Sequence, residues 1–192
     1  LRDVPELAGT AYVAYVRSTI AHGNVTAIDT SDATAIDGVI GVFTSSDLGL
    51  EPDAAAFNPG VSRPLLASGR VRFVGEPVAA VVAESKAAAA DGAAAVMVDY
   101  EPLDAYVDPE AALAGSTLLY EAAGSNVVMD TTAMGMPDLS DDFFAGCDVV
   151  AEGRFVNQRV APCPLEVRAS TAAWVDGRLF QWVSTQHAQG VR

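Results

Sequence analysis

Val71-Arg72-Phe73-Val74-Gly75-Glu76-Pro77-Val78-Ala79-Ala80-Val81-Val82-Ala83 is the stretch whose reading decides the fold. Two runs rich in valine, 71–74 and 78–83, flank the triplet Gly75-Glu76-Pro77 and read as strands. Gly75 permits an unusual backbone angle and Pro77 fixes the next one, so the triplet reads first as a turn. Glu76 can cap nearby amides or pair with Arg72, and a structural role for it outweighs a functional one.

Outward from this stretch, strands alternate with short helices. Ser85 is a cap for a helix over 86–95, eased by its alanines and weakened by Asp91-Gly92. Residues 96–100 form a strand that Glu101-Pro102 ends. Upstream, 11–17, 24–29 and 39–43 read as strands. Ser31 is placed to cap a short helix through Ile36 that Gly38 ends. Residues 44–47 form a turn or a single helical turn. Pro52, Pro59, Gly60 and Pro64 make 51–68 a loop. The first hundred residues are thus a β-rich unit of mixed strands and helices. Neither GxGxxG nor GxxxxGK[ST] follows any strand, so a doubly wound nucleotide fold is excluded.

Residues 101–150 hold ten acids and no base, with Pro109, Gly115, Gly124, Gly135 and Pro137 among them. This poor periodicity and like charge predict a solvated linker. A domain boundary is expected near 145. Beyond it, 149–158, 167–175 and 179–184 read as three antiparallel strands, with Asp176-Gly177 as a hairpin turn.

Composition narrows the function. The 192 residues are 51% hydrophobic and 19% charged, enough to bury a core. The net charge is −14, from 25 acids and 11 bases. Ten arginines and one lysine cannot build the basic face that a nucleic acid or an anionic membrane requires. No apolar run reaches the roughly 20 residues of a membrane span, and no signal peptide opens the chain. Cys147 and Cys163 make no disulfide framework, which predicts a reducing, cytoplasmic setting. The lack of an initiator Met and an end that falls at an expected helix start predict a piece of a longer protein.

Motif chemistry is sparse. His22 and His187 lie in no HExxH spacing, and Cys147 and Cys163 form no CxxC, so no metal site is predicted. No GxSxG elbow exists. Cys163, between Pro162 and Pro164, is expected in an extended segment as an inert buried thiol, because no Lys or Arg adjoins it. Glu166 and Arg168 share one strand face and are expected to pair. Gln186 follows the last strand. Its amide offers donor and acceptor at a strand end, where ligands bind, but the residues alone favour a polar residue starting a helix behind a Thr185 cap.

Taken in order, several segments resemble one family. Arg17-Ser18 with Ala21-His22, Val25 to Ser31, Gly38 to Thr44 and Asp47-Leu48 resemble the opening of the molybdenum hydroxylase large subunit. Xanthine dehydrogenase, aldehyde oxidase and aerobic carbon monoxide dehydrogenase belong to that family. Val71 to Ala83 is similar to its V-x-Y/F-V-G-E-P-V-A segment, and Val98 to Leu103 and Val107 to Leu113 continue it. Arg159-Val160-Ala161-Pro162-Cys163-Pro164-Leu165-Glu166 resembles the start of its cofactor-binding domain and leans toward the carbon monoxide dehydrogenase branch. Ser184-Thr185-Gln186 resembles a segment that approaches the molybdenum. Ile20 stands where the family often has the first histidine of Arg-Ser-Pro-His-Ala-His, a motif read here as structural.

The resemblance implies an α+β fold: an a/b hammerhead domain over 1–115, an acidic linker over 116–145, and the start of a molybdopterin-binding domain over 146–192. It implies a molybdenum-dependent oxidoreductase that hydroxylates or oxidises a carbon centre of an aldehyde, an N-heterocycle or carbon monoxide, using a water-derived oxygen. The cofactors it implies are molybdenum–molybdopterin in this subunit and [2Fe-2S] clusters and FAD on partner subunits or domains, in a dimer of heterotrimers. Gln186 would bind the cofactor by donating a hydrogen bond to an oxo ligand of molybdenum. No catalytic residue and no metal ligand is implied within 1–192. The family's GGxFG loop and late glutamate would lie beyond Arg192, so this piece is expected to be inactive alone. The rival expectation is a stand-alone hammerhead module for assembly or binding, with 101–150 as its docking surface. An esterase-like or carboxylate acid/base enzyme ranks last, for want of a nucleophile motif.

Overall fold

The computed structural model describes residues 7–55, 58–129, 135–136, 142–158 and 160–191. The chain divides into two compact units, one of residues 11–138 and one of residues 1–10 with 139–192.

The first unit is built around Val71 to Ala83. Its elements run β1 (Tyr12–Arg17), β2 (Gly23–Asp29), α1 (Ser31–Thr34), β3 (Val39–Thr44), α2 (Ser45–Leu48), β4 (Asp53–Ala55), β5 (Asn58–Arg63), β6 (Arg70–Val71), β7 (Pro77–Ala83), α3 (Lys86–Ala95), β8 (Met97–Pro102) and α4 (Pro109–Ala114). Strand β7 lies between β1 and β3, antiparallel to both. A second sheet has the order β6-β2-β8. Val78, Ala79, Val81 and Ala83 of β7 are fully buried, as a central strand covered on both sides requires. Val81 and Ala79 pack with Val16, Ala33 and Val96, whereas Val78 packs with Ala67 and Val71. Ile28 and Val98 touch both clusters, so the two sheets share one apolar seam.

Helix α3 forms as its sequence dictates. The Ser85 Oγ accepts from the Ala88 N–H at 3.1 Å. The small side chains let the helix press against β7, and Gly92 is buried against it. A Cβ on Gly92 would stand 2.7 Å from a methyl of Val81 and 3.1 Å from one of Val39.

Several expectations change. Ser31 does not cap α1; Thr30 holds that position without a side-chain bond. The Asp29 carboxylate accepts from both the N–H and the hydroxyl of Ser31, and these bonds hold it below the usual carboxylate range. Helix α1 ends at Thr34, short of Ile36. Residues 44–47 resolve into a one-turn helix with a capping box between Thr44 and Asp47. The expected strand 71–74 stops at Val71, because Arg72 to Glu76 turn back on themselves. The expected loop 51–68 contains β4 paired with β5; Pro59 is tolerated because a two-stranded ribbon leaves one side unpaired.

Residues after α4 do not run free. Asn126 Oδ1 accepts from the Leu119 N–H, and its Nδ2 donates to the carbonyls of Ala112 and Thr117 at 2.9 and 3.0 Å. Asn58 Nδ2 donates to the Val127 carbonyl, and Gly60 lies against the backbone of Ala122 and Ala123. The expected solvated linker over 116–145 is, within 116–129, tied to α4 and β5; most of its acids lie at 130 and beyond, largely outside the described residues.

In the second unit, β9 (Ser170–Val175) and β10 (Arg178–Val183) form the expected hairpin. Asp176 and Gly177 have φ of 48° and 75°, the geometry that Asp-Gly favours. Residues 149–158 do not form the third strand. No described strand lies beside them, and Phe155 is exposed.

Gly92→Ala should destabilise the first unit although alanine is the better helix former. The propensity gain is ~1 kcal/mol, against an overpacking cost of ~1–3 kcal/mol at a valine that cannot move. Urea unfolding should show a lower midpoint for Gly92→Ala, and a gain for the same change in a Val81→Ala background.

Candidate functional site

Gln186 stands on the second unit, just past β10. The strand end is tied across the hairpin: the Ser184 N–H donates to the Ala169 carbonyl, and the Ala169 N–H donates to Ser184 Oγ at 3.2 Å. Thr185 Oγ1 then accepts from the His187 N–H at 3.1 Å. A single 3-10 turn, Ala188–Val191, follows. Both readings of Gln186 therefore describe its position: it lies behind a Thr185 cap and at a strand end. Its side chain is exposed and makes no hydrogen bond to any described residue. From Gly177 to Arg192 there is no Asp or Glu. The polar side chains from Ser184 to His187 are hydroxyl, amide and imidazole, groups able to donate to an oxygen-rich ligand. The chemistry of these residues fits a molybdenum–pterin group.

The other sequence candidates do not join it. Cys147 and Cys163 are free and exposed, and Cys163 has a φ of 39° instead of extended geometry. The expectation of a buried thiol fails because residues 151–158 and 160–168 form no sheet to cover it. Glu166 and Arg168 are exposed, stand outside any strand and form no ion pair with each other or with any other described residue. Arg159, which opens the motif around Cys163, lies outside the described residues. Among the described residues no group of three or more His, Cys, Asp or Glu could hold a metal ion.

On the first unit, His22 is buried. Its Nδ1 lies 2.7 Å from the Asp104 carbonyl, an acceptor only, so Nδ1 carries the proton. The His22 carbonyl accepts from the Leu103 N–H, and together these bonds hold the chain leaving β8. The structural reading of Arg17 to His22 is the one this geometry supports. Ser18 exchanges backbone bonds with Gly75 and Glu76, and the Arg17 guanidinium donates to the Gly75 carbonyl at 2.8 Å.

The Gly75-Glu76-Pro77 turn is where buried charge concentrates. Gly75 has a φ of 90°, which only glycine adopts without strain. Glu76 is 5% exposed. One carboxylate oxygen accepts from the Arg72 N–H, and the other lies 3.9 Å from the Arg72 guanidinium. Capping and pairing, posed as alternatives by the sequence, thus occur together. The sequence reading missed what else Arg72 holds. Its Nε donates to the Leu119 carbonyl at 2.9 Å, and its guanidinium lies 4.7 Å from the Tyr120 ring centroid. Nothing local signals that partner, 47 residues away. Asn126 was missed for the same reason.

Glu76→Ala should cost ~3 kcal/mol, since it leaves the Arg72 N–H without its acceptor, takes the acid away from the half-buried guanidinium and empties a buried site. Glu76→Gln, which keeps an acceptor, should cost less. Guanidinium unfolding of the two variants checks the order; equal and small losses would contradict the account of the turn.

Comparison with known proteins bears on both units. The family model described as aldehyde oxidase and xanthine dehydrogenase, a/b hammerhead domain, matches residues 1–104. That of the molybdopterin cofactor-binding domain matches residues 119–192. The nicotine 6-hydroxylase large subunit of Paenarthrobacter nicotinovorans is 37% identical over 97% of this chain and 23% of its own length. The carbon monoxide dehydrogenase large chain of Afipia carboxidovorans is 33% identical over 99% of this chain and 25% of its own. Among solved structures, the Cu,Mo carbon monoxide dehydrogenase superposes with a TM-score of 0.79 at 31% identity, over 100% of this chain and 26% of that one. Quinoline 2-oxidoreductase from Pseudomonas putida 86 does so with 0.77 at 34% identity, over 92% and 23%. The chain thus spans about a quarter of the length of the curated relatives it matches.

Proposed function

The chain belongs to the aldehyde oxidase and xanthine dehydrogenase family of molybdenum hydroxylases, and on that premise we propose that it works as the hammerhead domain and first cofactor-binding segment of a large subunit. The parent enzyme is a molybdenum-dependent oxidoreductase that hydroxylates or oxidises a carbon centre with a water-derived oxygen. The observation that carries this reading is the tandem match of the two family models, in order, along one chain. The names of the relatives, a nicotine hydroxylase, a carbon monoxide dehydrogenase and an aldehyde oxidoreductase, support a small carbon substrate of the aldehyde, N-heterocycle or carbon monoxide class.

Molybdenum–molybdopterin is the cofactor, and when bound it supplies the two-electron redox chemistry. This chain's part is to orient it. Gln186 would hold the group by donating its amide N–H to it, from a strand end that Ser184 and Ala169 tie across the hairpin. A neutral amide orients without changing the charge of the redox site. Iron–sulfur and flavin subunits would take the electrons onward, in a cytoplasmic dimer of heterotrimers. Relatives described as a large chain and as a complex subunit support such an assembly, and the two unpaired cysteines suit a reducing compartment. No helix of the described residues is long and apolar enough to cross a membrane. In the working division, 1–115 is the hammerhead, 116–145 the connecting segment, and 146–192 the start of the cofactor-binding domain.

Gln186→Ala in the full enzyme should lower kcat by about tenfold or more, with molybdenum content and thermal midpoint unchanged. Unchanged turnover would remove Gln186 from the site.

A further inference from the structure

The open end of the β9–β10 hairpin carries an arginine that the proposed function leaves unused. Arg168 immediately precedes Ala169, whose N–H and carbonyl are both bonded to Ser184. Consecutive Cα atoms are about 3.8 Å apart, so Arg168 leaves from one side of that rung. Gln186, two residues past Ser184, leaves from the other side, within about 7 Å of it. Arg168 is exposed and forms no hydrogen bond or ion pair with any described residue. Glu166, the acid nearest to it in sequence, does not pair with it.

Charge in this part of the chain runs against that of the whole. The net charge is −14, yet residues 150–192 hold five arginines and three acids. Of the three acids, Asp176 stands at the turn of the hairpin, at the far end from Gln186. The Ser184 and Thr185 hydroxyl oxygens already accept from backbone N–H groups, which leaves their protons to be donated. The open end thus sets neutral donors on one strand beside an unpaired cation on the other. An anionic oxygen group needs such a set. Arg178, at the turn end and two residues from Asp176, lacks these neighbours.

We propose that Arg168 is a second cofactor-binding residue: its guanidinium holds an anionic oxygen group of the molybdopterin, across the hairpin end from Gln186. The inference rests on the function proposed above. Two parts of the cofactor carry such oxygens, its phosphate ester and its metal centre. A guanidinium takes either with two parallel N–H donors. A cation also offsets the cost of bringing negative charge out of water, which the neutral amide of Gln186 does far less. Lysine would supply the charge without the fork.

The test uses the complete enzyme complex, as the wild type and as Arg168→Gln, Arg168→Lys and the control Arg178→Gln. Pterin and molybdenum per subunit are measured after dialysis at low and at high salt. The Mo(V) electron paramagnetic resonance signal and amide hydrogen exchange over 172–181 are read on the same samples. In Arg168→Gln, pterin and molybdenum should fall by about tenfold, or, with both retained, the Mo(V) signal should change. The first result assigns the phosphate and the second the metal centre. Arg168→Lys should lie between Arg168→Gln and the wild type, with retention more sensitive to salt. Arg178→Gln should match the wild type, and exchange over 172–181 should be the same throughout. Arg168→Gln with wild-type pterin, molybdenum and Mo(V) signal overturns the inference. So does an equal loss in Arg178→Gln, and so does faster exchange over 172–181 in Arg168→Gln, which marks a structural role. If Arg168→Gln does not assemble, Arg168→Lys decides by the same criteria. A wild-type complex without pterin sinks the proposed function and this inference with it, whereas a loaded wild type beside an unaffected Arg168→Gln sinks this inference alone.

Discussion

A carboxylate buried under a tight turn organises the first unit. Glu76 sits at 5% exposure, a position that would be costly for an isolated charge. It is tolerated because the Arg72 N–H and guanidinium both face it. Meeting that requirement forces the chain to double back between Val71 and Pro77. The reversal puts β6 in one sheet and β7 in the other. Val71 and Val78, on either side of the turn, then fall in one apolar cluster. The same turn receives Ser18 at the end of β1, so it also sets where the first strand stops.

What was legible in the sequence was whatever local chemistry decides. Ser85 caps α3, Asp176-Gly177 turns the hairpin, and β1, β2, β3 and β7 begin and end within one residue of expectation, because caps, turns and β-branched runs act over a few residues. The failures in this unit arise where tertiary contacts override local preference. Phe73 and Val74 are good strand formers, yet they belong to the turn because a buried ion pair outranks propensity. Pro59 and Gly60 looked like loop residues. They form a strand by pairing with β4, and the missing Cβ of Gly60 leaves room for the backbone of Ala122 and Ala123, a segment that nothing near Gly60 in the sequence announces.

The second unit was less legible for a different reason. Its hairpin carries Trp174 and Leu179 on one face and Phe180 and Trp182 on the other. Trp174 is 73% exposed. A strand pair apolar on both faces is the pattern of a sheet covered on both sides. Reading 149–158 as its third strand from hydropathy alone assumed a neighbour that the described residues do not supply. The position of Gln186 past β10 was legible because the hairpin is local. Its assignment to the cofactor came from likeness to a family, since an amide at a strand end has no chemical signature of its own. Arg72 shows the reverse case: an obvious pair with Glu76 concealed a longer reach to Leu119 and Tyr120.

The central claim is that this chain belongs to an enzyme built around molybdenum. Elemental analysis of the intact parent complex, purified with its natural partners, tests it most directly. The account predicts molybdenum together with iron, and copper in addition would assign carbon monoxide as the substrate. A fully folded complex without molybdenum would contradict it and leave a hammerhead module of assembly or binding in its place.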